Sequence, residues 1–397
     1  MQKKTQLNTM INNIINLFWL IIQVLIGYNL VLPIVMVIFS VFVRNRLKKT
    51  LFKQTPDYAI IVTAYEQTDY LQQVVSSLLD LNYSNYMIYI VADNCPSALL
   101  AFNSDRVVVL RPPHTLASNI KSHDYAIKNF IRKHDIITII DSDNLVHPEY
   151  INELNLYFDQ GFEAVQGLRA AKNLNSTYAC LDAARDLYYH FYDGELLFKL
   201  GSSATLAGSG MAFKAGLYQD AIVALDFHGA GFDKVVQAGI LLSGKRIAFA
   251  KNAIVYDEKT VNSTQLVNQR ARWINTWFRF CGYGLSIIGK GIKNRSFNQL
   301  LFGVILLRPP LFIFLILSLL SLTINIIIGS VASFYWLFAI LLFLISFLIA
   351  LVRQPTDARI YRSLAGIPKF IYYQLVSLVY AKGANKRSVA TKHVVHH

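Results

Sequence analysis

The chain has 397 residues, of which 54% are hydrophobic and 16% charged, and its net charge is +14 from 38 Lys and Arg against 24 Asp and Glu. That mixture excludes both a wholly soluble protein and one made only of membrane spans, and the length leaves room for one large domain beside apolar segments. The charge does not argue for nucleic acid, because the basic residues cluster beside apolar stretches (Arg44, Arg46, Lys48, Lys49; Lys290, Lys293, Arg295; Lys382, Lys386, Arg387, Lys392), as positive-inside topology and anionic headgroups require.

Met10–Val43 is almost uncharged and far longer than the ~20 residues of one spanning helix. Gly27-Tyr28-Asn29 and Pro33 interrupt it. It reads as one long bent helix or as two short ones, and the positive charge at both ends favours a hairpin with cytoplasmic ends. Lys3 and Lys4 precede it without a small-residue cleavage site, so it is an uncleaved anchor rather than a signal peptide.

Tyr58–Val62 is the first soluble strand, and Thr63–Glu66 makes its turn. Tyr70–Leu81 has helical spacing, Met87–Ala92 is a strand ending in Asp93-Asn94, and Val107–Leu110 is a third. His123–Arg132 is helical. Ile136–Ile140 is a short, mostly β-branched apolar run that passes straight into Asp141-Ser142-Asp143-Asn144, as a strand buried on both faces does. Strand and helix alternate, so the soluble part is α/β with a mostly parallel sheet. Tyr150–Phe158 is helical, Ala164–Leu168 a strand, and Thr177–Leu200 a long aromatic-rich helix. Leu206–Phe213 is a glycine-rich turn entering a strand. Asp233–Gly244 is a helix, Arg246–Ala250 a strand and Gln265–Phe280 a helix. Leu300–Ile328 and Phe334–Val352 are two spans, the first interrupted by Arg308-Pro309-Pro310. Arg308 either snorkels or faces the protein interior. Ile367–Tyr380 is an interfacial helix, and Trp277–Asn298 has the same character. The divisions are therefore 1–50 (anchor), 51–298 (α/β domain), 299–353 (two spans) and 354–397 (interfacial helix and basic tail).

Asp141 and Asp143 stand two apart at the C-terminal end of a strand, so in extended backbone they lean to one side, where open α/β sheets bind ligands. Hard cations take one or two carboxylates plus phosphate oxygens, so the pair suits a metal and a diphosphate. Taken alone, the pair reads more readily as a plain acidic turn capping the next helix, and the rest of the chain reverses that preference. Gln269, Arg272 and Trp273 fall at i, i+3 and i+4, on one helical face. Arg272 has the fork to grip phosphate oxygens. Cys95, Cys180 and Cys281 are scattered and suit a reducing compartment.

In order, Thr63-Ala64-Tyr65-Glu66, Asp93-Asn94, Lys121-Ser122, Asp141-Ser142-Asp143, Gly208-Ser209-Gly210, Phe232-Asp233-Lys234 and Gln269-Arg270-Ala271-Arg272-Trp273 resemble the membrane-bound inverting glycosyltransferases of family 2, such as cellulose, hyaluronan, chitooligosaccharide and poly-N-acetylglucosamine synthases. The resemblance spans roughly 57–273 and implies a GT-A fold, a Rossmann-like catalytic domain flanked by transmembrane helices. It implies that Tyr65, Asp93, Lys121 and Asp141 bind the donor nucleotide, and that Asp141 and Asp143 hold Mg²⁺ or Mn²⁺ on the diphosphate. Asp233 becomes the general base, although Phe232 stands where the family usually has a second acid. Gln269, Arg272 and Trp273 would face the diphosphate and the acceptor.

The expected activity is metal-dependent transfer from a UDP-sugar, with inversion to a β-linkage, onto a growing polysaccharide. Transfer to a lipid acceptor is the alternative. The expected place is the inner (plasma) membrane, multi-pass, with a cytoplasmic catalytic domain and room for a second copy or accessory subunit. A non-catalytic scaffold and a transporter are the rivals from other classes; the transporter lacks any inverted repeat.

Overall fold

The computed structural model describes residues 2–43, 55–96, 100–223 and 231–384. The basic residues Arg44, Arg46, Lys48, Lys49, Lys386, Arg387 and Lys392, and the boundary near residue 50, lie outside the described residues. The chain divides into two units, one of residues 1–43 with 308–355 and the other of 44–307 with 356–397.

Helix α1 (Gln2–Phe42) is continuous through Gly27 and Pro33, so the hairpin favoured by the flanking charge does not form. An apolar stretch offers backbone groups no polar turn, and continuing the helix satisfies them. Pro33 removes only one donor, and just before it the Asn29 amide donates to the carbonyls of Leu25 (3.0 Å) and Ile26 (3.1 Å). At ~1.5 Å per residue the helix far exceeds the ~30 Å of a hydrocarbon core.

The second unit is built on an eight-stranded sheet. In chain order it contains β1 (Tyr58–Tyr65), α2 (Leu71–Leu79), β2 (Tyr86–Asp93), β3 (Val107–Leu110), α3 (Asn119–Lys128), β4 (Ile136–Asp141), β5 (Leu145–Val146), α4 (Tyr150–Phe158) and β6 (Ala164–Ala171). There follow α5 (Thr177–Tyr189), a π-helical stretch His190–Leu196, α6 (Leu197–Lys199), β7 (Met211–Lys214), α7 (Ala215–Val223), α8 (Phe232–Leu242), β8 (Ile247–Asp257) and α9 (Ser263–Phe280). The strand order is β3-β2-β1-β4-β7-β6-β8-β5. β3, β2, β1 and β4 are mutually parallel, while β7 runs antiparallel to both β4 and β6. The sheet is thus mixed, since only its first half follows the strand–helix alternation that the sequence displays. Ile60, Val62, Ile88, Ile90 and Ile140 pack under α2 and α4 through Val74, Leu78, Ile151 and Leu154. Strands buried on both sides explain why these segments read as unbroken apolar runs.

Some boundaries move. β1 runs on to Tyr65, β8 on to Asp257, and α3 begins at Asn119 rather than His123. The long helix after Thr177 is broken by the π-helical stretch, a form that often marks functional sites.

The same unit carries α10 (Tyr283–Asn294) and α11 (Phe297–Leu307). Gly284 and Gly303 let α10 and α11 touch, because a Cβ on either would lie under 3.0 Å from the other's carbonyl oxygen. In the first unit, α12 (Leu311–Ile327) and α13 (Ala332–Arg353) join α1. Gln23 Oε1 accepts from both Asn325 Nδ2 (2.7 Å) and Trp336 Nε1 (2.8 Å), the kind of polar contact that holds helices together in lipid. Among the described residues, two helices are long and apolar enough to cross a membrane, at Gln6–Phe42 and Ala332–Arg353. The first span read from the sequence is two helices, because Pro309 and Pro310 deny backbone donors where α11 stops. Arg308 is buried at 8% exposure, the inward of its two expected places. Helices α14 (Ala358–Ser363) and α15 (Ile367–Tyr380) complete the sheet unit. Phe370 of α15 packs on Leu266 of α9 and Leu181 of α5.

Candidate active site

Register builds the site. Tyr65 lies beside Asp93, and Thr63 beside Asp141, so the ends of β1, β2 and β4 form one edge. Asp93 is buried, and its carboxylate accepts from the backbone N–H groups of Leu116 (2.9 Å) and Ala117 (2.7 Å). It therefore holds the 111–118 segment that leads into α3. Lys121 is exposed in the first turn of α3. The Glu66 carboxylate beside the half-buried Tyr65 holds that phenol's pKa up.

Asp141 and Asp143 are half-buried in the turn from β4 to β5. The glycine-rich turn lies against them. Gly210 N–H donates to the Ile139 carbonyl (2.9 Å), and Ser209 Oγ accepts from Asp141 N–H (3.1 Å) and Asn144 Nδ2 (2.7 Å). Gly208 and Gly210 have φ of +88° and +69°, a backbone that L side chains resist.

Burial raises the Asp141 carboxyl to about 7, helped by the charge of Asp143 and opposed by Arg169, with Asp257 and Asp233 adding to the rise. Several carboxylates thus act on one point. A divalent cation fits such a deficit of positive charge. Among the described residues no three His, Cys, Asp or Glu side chains form a metal cage, so the protein would supply one or two ligands, as Mg²⁺ and Mn²⁺ sites on phosphates commonly require.

Asp233 enters the same region from the first turn of α8. Lys234 Nζ lies 3.1 Å from Asp233 Oδ2 and also donates to the Leu206 carbonyl, tying the carboxylate to the glycine-rich turn. Gly231, at φ +98°, makes this approach possible. A Cβ there would stand 2.7 Å from Thr276 Cγ2 and 2.8 Å from Phe280 Cε2 of α9.

Gln269, Arg272 and Trp273 all lie in α9. Arg272 is largely buried, which lowers its pKa, and Gln269 Oε1 is buried with no partner among the described residues. Trp273 remains 38% exposed. The sequence reading overlooked what stands behind them. Arg169 donates to the Ala207 carbonyl (2.6 Å) and pairs with Asp257 (2.8 Å). Lys259, 2% exposed, bridges Asp257 (2.7 Å) and Asp186. Asp186 pairs with Arg185, and Asp182 with both Arg185 (3.3 Å) and Arg270. Burial works against the charge of Lys259, but Asp186 and Asp257 more than offset it and raise its pKa. The available signal was Arg169 at the end of an apolar strand; the pairing itself has no sequence signature.

The family described as "Glycosyltransferase like family 2" matches residues 56–276. The chain belongs to it. The sheet is a GT-A glycosyltransferase fold. Among solved structures, the mannosyltransferase PcManGT from Pyrobaculum calidifontis, in complex with GDP-Man and Mn²⁺, is similar at TM-score 0.52 and 13% identity, over 91% of this chain and 99% of that one. S. aureus TarS 1-349 in complex with UDP-GlcNAc aligns at TM-score 0.41 and 13% identity, over 83% of this chain and 90% of that one. No protein with a curated description matches the chain. The family 2 assignment makes this chain a glycosyltransferase, and the carboxylate edge is its candidate active site.

Proposed function

We propose that the chain is a membrane-anchored, metal-dependent inverting glycosyltransferase that moves a sugar from a UDP-sugar to a growing polysaccharide. The observation that carries this is the meeting of Asp141, Asp143 and Asp233 at one edge, where burial lifts the Asp141 carboxyl to about 7 and the charges of Asp143 and Asp233 add to the rise. Asp141 and Asp143 would hold Mg²⁺ or Mn²⁺, which neutralises charge on the departing diphosphate when bound. Asp93 fixes the loop beside the nucleotide, and Tyr65 and Lys121 flank it. Asp233 accepts the acceptor's hydroxyl proton as that oxygen bonds the anomeric carbon. The bond to the diphosphate breaks on the opposite face, and the nucleoside diphosphate leaves with the electron pair. Arg272 bears on the diphosphate, and Trp273 meets the acceptor sugar.

Two apolar helices and the exposed stripe Lys369, Tyr372, Leu375 and Val379 of α15 support attachment to the plasma membrane, with the sheet unit in the cytoplasm. Transfer to a lipid acceptor is the second reading, favoured by so few spanning helices among the described residues. A polymer channel would then need a second copy or a partner subunit.

The test is nucleoside diphosphate release by the full chain in detergent. The donors are UDP-glucose, UDP-N-acetylglucosamine and GDP-mannose with Mn²⁺ or Mg²⁺, beside Asp143→Ala and Asp233→Asn. Metal-dependent release with one donor, falling at least ~10²-fold in both variants, is expected. Binding of the nucleotide without any release would support a scaffold instead. Product size then separates the two acceptors, as a ladder of long chains supports a polysaccharide and a single addition supports a lipid.

A further inference from the structure

Trp273 does not stand free on its helix. The Arg270 guanidinium carbon lies 4.0 Å from the centre of its ring, and that of Arg185 lies 4.2 Å away. Arg270 precedes Trp273 by one turn and is only 2% exposed. It pairs with Asp182 of α5 through one terminal nitrogen, while its Nε and Nη1 are buried and have no hydrogen-bond partner among the described residues. Donors without an oxygen partner are costly in an interior unless something else takes them. An indole face does so, through the attraction between a cation and the π cloud. Asp182, itself 2% exposed, also touches Arg185, so a single carboxylate fixes both guanidinium groups over the ring.

We propose that Arg270, held by Asp182, is a positioning residue that sets the orientation of Trp273 towards the acceptor. This rests on the reading of Trp273 as the acceptor-facing ring. The residue acts through Trp273 and touches no reacting atom. A buried guanidinium with one fixed counter-ion admits few rotamers, so the ring above it also has few. The ion pairs continue from Asp182 through Arg185, Asp186, Lys259 and Asp257 to Arg169, whose charge acts on Asp141. The clamp on the acceptor side therefore shares one rigid scaffold with the donor side.

The test leaves Trp273 as the lone tryptophan, by Trp19→Phe, Trp277→Phe and Trp336→Phe in the full chain, and measures acrylamide quenching of its emission in detergent. In Arg270→Met the quenching constant is expected to rise about threefold, and in Arg270→Lys, which keeps a cation over the ring, to return most of the way. Diphosphate release from the donor that the parent chain turns over should show kcat down about tenfold with donor KM within about twofold. The double variant Asp182→Leu/Arg270→Met removes both charges, which folds tolerate better than a stranded one, and should behave as Arg270→Met does. Unchanged quenching in a folded Arg270→Met or double variant overturns the proposal, as does a donor KM that rises as much as kcat falls. If the parent releases no diphosphate while quenching changes as expected, the clamp stands and the catalytic reading fails.

Discussion

Gly231→Ala should be damaging on two counts, backbone conformation and packing. Its φ of +98° costs an L residue about 1–2 kcal/mol. The new Cβ also overlaps Thr276 and Phe280 at 2.7 and 2.8 Å, which adds about 1–3 kcal/mol of overpacking. The sum, about 2–5 kcal/mol, corresponds to a fall in Tm of roughly 5–15 °C for a unit of this size. Two glycines serve as internal controls. Gly208 has φ +88° but nothing within 4 Å of a Cβ, so Gly208→Ala carries only the backbone cost, about 1–2 kcal/mol. Gly239 lies exposed inside α8 with open space around it, so Gly239→Ala should stabilise by about 0.5–1 kcal/mol. Thermal unfolding followed by circular dichroism should rank Gly239→Ala above the parent, then Gly208→Ala, then Gly231→Ala. Because Asp233 lies two residues on, Gly231→Ala should also lower diphosphate release more than about tenfold with little change in donor KM. If Gly231→Ala melts with Gly208→Ala, the contact with α9 contributes nothing and the placement of Asp233 by that contact is refuted.

His123 is fully buried, donor or acceptor to Tyr218 at 2.8 Å, and burial lowers its pKa to about 3. Its neutral form is favoured in the fold, so its contribution is complete above pH 6.5 and is lost as pH falls from 6.5 towards 3, at about 1.4 kcal/mol per unit. Urea unfolding of His123→Gln should therefore show a weaker loss between pH 6.5 and 5, by about 2 kcal/mol. Asp93→Asn replaces one acceptor of the Leu116 and Ala117 amides with a donor. It should cost about 2–3 kcal/mol locally, and calorimetry should show nucleotide affinity down at least tenfold. Gln23→Leu removes the oxygen shared by Asn325 and Trp336. Two such bonds in lipid are worth about 1 kcal/mol together, read as an earlier midpoint in SDS unfolding.

The sequence by itself determined the class of chemistry and most of the elements. Apolar runs ending in acids located the strand ends at Asp93 and Asp141, because burial on both faces demands an unbroken run and ligand chemistry demands polar groups at its end. The 3.6-residue spacing placed Gln269, Arg272 and Trp273 on one helix for the same local reason. Contacts between distant segments leave no such periodic trace. The antiparallel β7 beside β4, the passage of α1 through Pro33, the pairing of Asp182 with Arg270 across 88 residues and the pressure of α9 on Gly231 exist only once the chain has folded. Local pattern reports what a segment must bury, whereas the partner it meets is chosen by the packing of all the segments together. The motif residues were therefore legible, while the charges and the glycine that hold them in place were decided by tertiary structure.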